Sequence, residues 1–232
     1  MPFRSVYQPT PTIANNRIHI QDEEHRHLTV ARVEKDERLE VFDGKGNVWT
    51  VRVDAVEKRE TVAIVEETRY APPDSIDLIL AQAMIRTAAF ELSLEKAVEV
   101  GVTRIVPFNA KRSNLAPGGR QDRWLRIVIE AAKQSKRYHL PTLEAPARFD
   151  QILSIPAASK IVFAGRGGGP LKSALAGSPV LYLIGPEGGW TDSELTAARE
   201  HGFHEVSLGT GILKSETAAI VAASLIQYEL RR

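Results

Sequence analysis

Three glycine-marked segments hold the residues best suited to grip a small ligand: "FAGRGG" (163–168), "IGPEGG" (184–189) and "LGTGIL" (208–213). Each follows a short apolar run, "KIVF", "VLYL" or "EVS", that reads as a strand. In open α/β sheets, ligands bind beyond the carboxyl ends of the strands. A glycine there lets backbone approach a ligand closely. All three segments fall within the last seventy residues, so one shared site explains them better than three separate packing features. The loops carry few charges, which suits a neutral or zwitterionic ligand held mainly by backbone groups. Glu187 sits in the middle loop, and Lys214 and Glu216 come just after the last one. Glu187 reads as a turn organiser whose side chain caps nearby amides.

Other chemistries fit poorly. "GRGGGP", Gly165 to Pro170, puts proline where the last glycine of a dinucleotide fingerprint belongs. "GPEGGW" lacks the Gly-Lys-Ser/Thr of a phosphate-binding loop, and no Gly-x-Ser-x-Gly elbow occurs. The six histidines (19, 25, 27, 139, 201, 204) show no metal spacing on a helix, so no metal is expected. The absence of cysteine excludes disulfides, thiolate zinc sites and cysteine nucleophiles.

The elements that must position these loops show β-α alternation. "IDLILAQ" is a nearly continuous apolar run, as in a strand covered on both faces. "AFELSLEKAVEVG" has apolar residues at helical spacing and a stop at Gly101. "TRIVPF", "KIVFAG", "VLYLIG" and "EVSLG" read as further strands. Helices are expected over Asp122–His139, over "PLKSALAG", after a Thr191-x-x-Glu194 capping box as far as Gly202, and from Ser215 to the end. Such alternation implies a parallel sheet with helices on both faces. Residues 1–72 read differently: "RLEVFDGKGNVWTVRV" is a hairpin with Asp-Gly and Gly-Asn turn chemistry, and "TVAIVEE" another strand. "DEEHRHLTVARV" reads as a short helix followed by a strand. A small β-barrel-like domain of residues 1–72 and an α/β domain of residues 73–232 are expected, joined at "RYAPPDS".

Net charge is only +1, but its distribution is uneven: residues 104–148 hold ten Lys/Arg against three acids, whereas residues 1–72 hold eleven against thirteen. The asymmetry suggests a surface for a polyanion. Arg123, Arg126, Lys133 and Arg137 recur at three- or four-residue steps around Glu130, apart from one seven-residue step, and form a basic stripe. It suits phosphates, or else is a plain solvated face. The first residues, "MPFRSVYQPTPT", lack the apolar core of a signal peptide, and no run is long enough to span a membrane. A cytoplasmic protein is expected.

"LIGPEGGWTDSE" followed by "VSLGTGILKSETAA" closely resembles the paired C-terminal signature of the bacterial 16S rRNA uracil-N3 methyltransferases, the RsmE type of the SPOUT superfamily. "EKAVEVGVTRIVPF", "EAAKQSKRYHLP" and "HLTVARV…LEVFDGKG" resemble further family segments in the same order, so the resemblance spans essentially the whole chain. It implies a SPOUT-type parallel sheet with a C-terminal trefoil knot, preceded by a PUA-like β-barrel domain that binds RNA. It also implies a homodimer that acts on 16S rRNA of the small ribosomal subunit. Carried onto this sequence, S-adenosylmethionine would rest on Phe163, Gly165, Ile184, Gly185, Glu187, Gly188, Gly189, Leu208, Gly209, Ile212, Leu213 and Thr217. Glu216 would serve as base or orienter, with Lys214 and Arg137 stabilising the uracil anion. Arg32, Arg112, Arg123, Arg126, Lys133 and Lys136 would contact RNA. The sequence departs from the family where its last loop usually carries two arginines: Gly211 and Lys214 stand there, followed by Ser215 for threonine. Another SPOUT RNA methyltransferase, or an RNA-binding assembly factor without catalysis, remains an alternative at this level.

Overall fold

The hairpin expected at Asp43–Asn47 organises the first of two sheets. The computed structural model describes residues 3–113, 121–165 and 167–232. Arg120 of the basic segment and Arg166 of the first glycine loop lie outside the described residues. Contacts divide the chain into two units, Met1–Pro73 with Ala132–Leu140, and Asp74–Ala131 with Pro141–Arg232.

The first unit contains β1 (Arg4–Tyr7), β2 (Ile13–Ala14), β3 (Arg17–Ile20), α1 (Asp22–Val30), β4 (Arg38–Phe42), β5 (Asn47–Val56) and β6 (Thr61–Tyr70). The strands form one sheet in the order β1-β4-β5-β6-β3-β2, antiparallel except between β1 and β4. At the β4–β5 turn, the Asp43 carboxylate accepts from the backbone N–H groups of Lys45 (2.7 Å) and Asn47 (3.2 Å). Gly46 has φ 97°, and a Cβ there would fall 2.5 Å from the His139 ring, so only glycine fits. Alternation along β4 and β5 sends Leu39, Val41, Val51 and Val53 inward, where they meet Val6, Ile18, Ile20 and Leu28.

Two boundaries differ from the sequence reading. No strand follows α1, because Arg32 at φ 53° ends the helix and Val33 N–H bonds back to Leu28 O (3.1 Å). The basic helix stops at Ser135 instead of His139, because Lys136 at φ 58° ends it, with Arg137 N–H on Ala132 O (3.0 Å). Both stops have Schellman geometry built on a cation where glycine is usual.

The second unit contains β7 (Leu78–Ala83), α2 (Thr87–Val100), β8 (Arg104–Asn109), the start of α3 (Gln121–Ser135), β9 (Thr142–Leu143), β10 (Ala147–Arg148), α4 (Phe149–Leu153), β11 (Ser159–Phe163), α5 (Leu171–Ala174), β12 (Val180–Ile184), α6 (Asp192–Glu200), β13 (His204–Val206) and α7 (Ser215–Leu230). The strands run in the order β10-β8-β7-β12-β11-β13, with β9 beside β8, and every pair is parallel. Leu181 and Leu183 of β12 face a core that includes Ile152, Leu153, Ala198 and Phe203. Tyr182, between them, points the other way and reaches Ala219 O of α7 (3.5 Å). Helices therefore cover both faces, as a buried parallel sheet requires. Among the described residues no helix is long and apolar enough to cross a membrane.

Candidate active site

Strands β12, β11 and β13 lie side by side, so the three glycine loops emerge together at their carboxyl ends. Between them is a cavity of about 380 Å³, within the roughly 300–1,000 Å³ usual for small-molecule sites. Of the twelve residues expected to hold a cofactor, Phe163, Gly165, Ile184, Gly185, Glu187, Gly189, Leu208, Ile212 and Leu213 line it. Gly188, Gly209 and Thr217 do not. Lys214 and Glu216 line it as well. Arg137 belongs to the first unit and is not among its lining residues.

The loops are tied to one another. Trp190 Nε1 donates to Phe163 O (2.9 Å), which joins the second loop to the first. Its ring stacks on Phe108, 6.1 Å between centroids and 9° from parallel. Gln82, fully buried on β7, donates to Ser215 Oγ (2.9 Å), and that hydroxyl donates to Gly185 O (2.7 Å). The start of α7 is thereby fixed to the end of β12. Thr191 and Glu194 form the expected capping box, and Glu194 also accepts from Lys111 N–H (2.8 Å). Gly189, at φ 69°, closes the Pro186 turn with N–H on Pro186 O (2.9 Å).

The glycines lining the cavity fall into two kinds. A Cβ on Gly185 would lie 2.9 Å from the Trp190 ring, so packing forbids it. A Cβ on Gly165, Gly189 or Gly211 would meet nothing within 4 Å. At these three lining positions bare backbone borders open space, as a cradle for an extended organic ligand requires. Apolar walls from Phe163, Ile184, Leu208 and Leu213, with Glu187, Glu216 and Lys214 also lining the cavity, match a ligand that carries both a ring and opposite charges. S-adenosylmethionine fits that donor set.

Arg86, which the sequence reading did not single out, also lines the cavity. Its Nε donates to Glu187 Oε1 at 3.1 Å. Burial alone would raise the Glu187 carboxyl, but hydrogen bonds from Arg86 and from backbone outweigh it and hold the group below the usual carboxylate range.

The expected RNA contacts separate by environment. Arg32 and Arg126 are exposed, and Arg123 is exposed while paired with Glu91 (2.6 Å). Arg112 donates to Gly188 O (2.9 Å) and Trp190 O (3.3 Å), bracing the second loop. Lys133 and Glu24 form a nearly buried ion pair at 2.9 Å. Lys136 reaches Glu40 (2.6 Å), Ser5 (2.9 Å) and Phe3 O. The stripe drawn from helical spacing is therefore broken: Lys133 is committed to an internal pair, and Arg137 lies beyond the helix.

The family described as RNA methyltransferase domain matches residues 72–227, and that described as RNA methyltransferase PUA domain matches residues 20–66. A ribosomal RNA small subunit methyltransferase E from Synechocystis is 32% identical over 97% of this chain and 77% of its own. That of Aquifex aeolicus is 31% identical over 91% of this chain and 94% of its own. The crystal structure of the Neisseria gonorrhoeae ribosomal RNA small subunit methyltransferase E, bound to S-adenosyl methionine, has 30% identity and a TM-score of 0.92, covering 98% of each chain. With the methyltransferase match spanning most of its length and relatives of this identity along nearly all of it, the chain belongs to the ribosomal RNA small subunit methyltransferase E family.

Proposed function

We propose that this protein transfers a methyl group from S-adenosylmethionine to N3 of a uridine in 16S rRNA of the small ribosomal subunit. The observation that carries this reading is the cavity framed by three glycine loops at adjacent strand ends, with Lys214 and Glu216 on its wall. When bound, S-adenosylmethionine supplies an electrophilic methyl group on a cationic sulfonium. The glycine loops hold it through backbone, and Phe163, Ile184, Leu208 and Leu213 keep water away. A dry wall favours a transition state in which the positive charge is disappearing. Uracil N3–H is weakly acidic, so cations near O2 and O4 lower the barrier by stabilising the ring anion. Glu216, in the first turn of α7, orients the base or receives its proton, and Lys214 contributes positive charge.

Residues 1–72 are assigned as a PUA-like RNA-binding domain and residues 73–232 as the SPOUT methyltransferase domain. Arg32, Arg123 and Arg126 are the exposed candidates for phosphate contacts. After β13 the chain returns so that α7 packs on α2, β7 and β12, which supports assigning a trefoil knot there. Leu92 on α2 and Leu225 and Tyr228 on α7 are exposed apolar residues on helices that pack together, and this supports a homodimer. A cytoplasmic location is part of this reading, since small ribosomal subunits are the proposed substrate.

The test is in vitro methylation of small subunits from a strain lacking this activity, followed by nucleoside mass spectrometry. N3-methyluridine is the expected product. A ribose-methylated nucleoside, or no product, would refute the assignment.

A further inference from the structure

Arg86 stands three residues beyond the end of β7, where it begins α2, and β7 is the direct neighbour of β12. That register brings it beside Glu187, 101 residues later in the chain. Glu187 Oε1 accepts from Arg86 Nε at 3.1 Å and from its backbone N–H at 3.4 Å. Among the described residues, the two terminal nitrogens of Arg86 make no hydrogen bond, and the side chain is 77% exposed. One edge of the guanidinium is therefore held while its other donors stay available. Lys214 lines the same cavity, but among the described residues nothing hydrogen-bonds its ammonium, so its position is not fixed.

We propose that Arg86, held in place by Glu187, donates to a carbonyl oxygen of the substrate uracil and stabilises the ring after N3 loses its proton. This rests on the methyltransferase reading above. N3 gives its proton, by way of the Glu216 carboxylate, to solvent, its lone pair forms the bond to the methyl carbon, and the electron pair of the broken S–C bond stays on sulfur. Charge on the ring anion spreads to O2 and O4, and a preorganised guanidinium serves either oxygen without reorganising as the reaction proceeds. Cytosine has an amino group in place of O4, so a donor aimed at that position finds no acceptor. A contact at O4 therefore discriminates against cytosine, whereas one at O2 does not. Glu187 is a positioning residue and acts through Arg86.

The experiment compares the unaltered protein with Arg86→Ala, Arg86→Lys and Glu187→Gln, using unmethylated small subunits. Calorimetry reads S-adenosylmethionine affinity, a filter assay reads subunit affinity, and single-turnover rates are followed across pH. Arg86→Ala is expected to keep both affinities and to lose roughly 10²–10³-fold in rate, as for removal of one stabilising donor. Its rate should keep climbing to higher pH than the unaltered protein's, because the ring anion is less stabilised. Arg86→Lys should restore part of the rate, and Glu187→Gln should lose less than Arg86→Ala. Subunits carrying 5-fluorouracil, whose N3 is more acidic, should narrow the gap between Arg86→Ala and the unaltered protein. An unchanged rate and pH profile with weakened subunit binding would make Arg86 a phosphate contact and overturn the proposal. Loss of S-adenosylmethionine affinity, or an undiminished gap on fluorinated subunits, would overturn it too. Absence of N3-methyluridine from the unaltered protein, despite cofactor binding, would instead refute the functional reading on which the proposal rests.

Discussion

Adding one methyl group at Gly165 and at Gly185 should have different consequences, although both glycines line the same cavity. At Gly165 the new Cβ meets nothing within 4 Å, and the backbone is not left-handed. Gly165→Ala should therefore leave stability unchanged or raise it by about 0.4–1 kcal/mol through the unfolded chain. A ligand resting on that backbone would feel the methyl directly, at about 1–3 kcal/mol for overpacking. That is roughly a 5- to 140-fold weakening of Kd, at about 1.4 kcal/mol per tenfold. At Gly185 the Cβ would lie 2.9 Å from Trp190 Cε2 and 3.0 Å from Nε1. Trp190 has little freedom to yield, since it is bonded to Phe163 O at 2.9 Å and stacked on Phe108. Gly185→Ala should therefore cost about 1–3 kcal/mol in overpacking and about 1 kcal/mol for the strained hydrogen bond. Thermal melts without ligand and calorimetry with S-adenosylmethionine separate the two variants. Wild-type affinity in Gly165→Ala would refute the cradle, and equal destabilisation of both variants would refute the packing argument.

Glu40, in the first unit, accepts from Lys136 (2.6 Å), Arg69 (3.0 Å) and Tyr138 (3.0 Å). Burial pushes its carboxyl up, but these hydrogen bonds outweigh that and hold it below the ordinary 4.5. A depressed folded pKa gives stability that is full above the unfolded value and lost as pH falls through the folded one. Glu40→Gln should therefore cost about 1–3 kcal/mol near neutrality, and its deficit in urea unfolding should shrink as pH falls below the ordinary 4.5 and through the lowered folded value; a deficit constant with pH would be the contrary result. Ser215→Ala removes a buried hydroxyl that links Gln82 to Gly185 O, at about 1–3 kcal/mol, and should weaken S-adenosylmethionine binding as well. Ser215→Thr should retain both properties, and an unshifted melt in the alanine variant would mean that the link carries nothing. The proposed homodimer predicts that Tyr228→Glu on α7 halves the mass seen by light scattering, and an unchanged mass would refute a dimer contact through α7.

How legible each feature was in the sequence depended on whether its cause was local. Gly101 and Gly202 mark helix ends where the sequence placed them, because each takes a positive φ and the next residue bonds back across the last turn. The same geometry at Arg32 and Lys136 carries no glycine signal, so the sequence reads as a strand directly after α1 and as four further helical residues at the end of α3. Helical spacing extended past the true stop then drew Arg137 into a stripe that the backbone never forms. The parallel sheet was legible for the opposite reason: continuous apolar runs such as that at Leu78–Ala83 record burial on both faces, and each run can be read by itself.

The site divides along the same line. The cradle could be read because glycine at a strand end is a local signal, and three such ends converge once the sheet is parallel. Charges could not be read this way, since what a cation does depends on which carboxylate the fold brings to it. Lys133 looks like a solvated or phosphate-binding lysine until Glu24 is found beside it, 109 residues away in the chain. Arg86 shows the converse case. No motif, repeat or periodicity marks it, and it gains a role only because β7 pairs with β12 and so places it against Glu187. Glu187 changes meaning by the same contact: alone it is a carboxylate in a glycine turn, whereas with Arg86 it fixes a cation on the cavity wall. If that pairing positions the guanidinium, Gly211 and Lys214 need not replace the family's arginines one for one, because a fixed cation already stands beyond the carboxyl end of β7, on the same edge of the sheet.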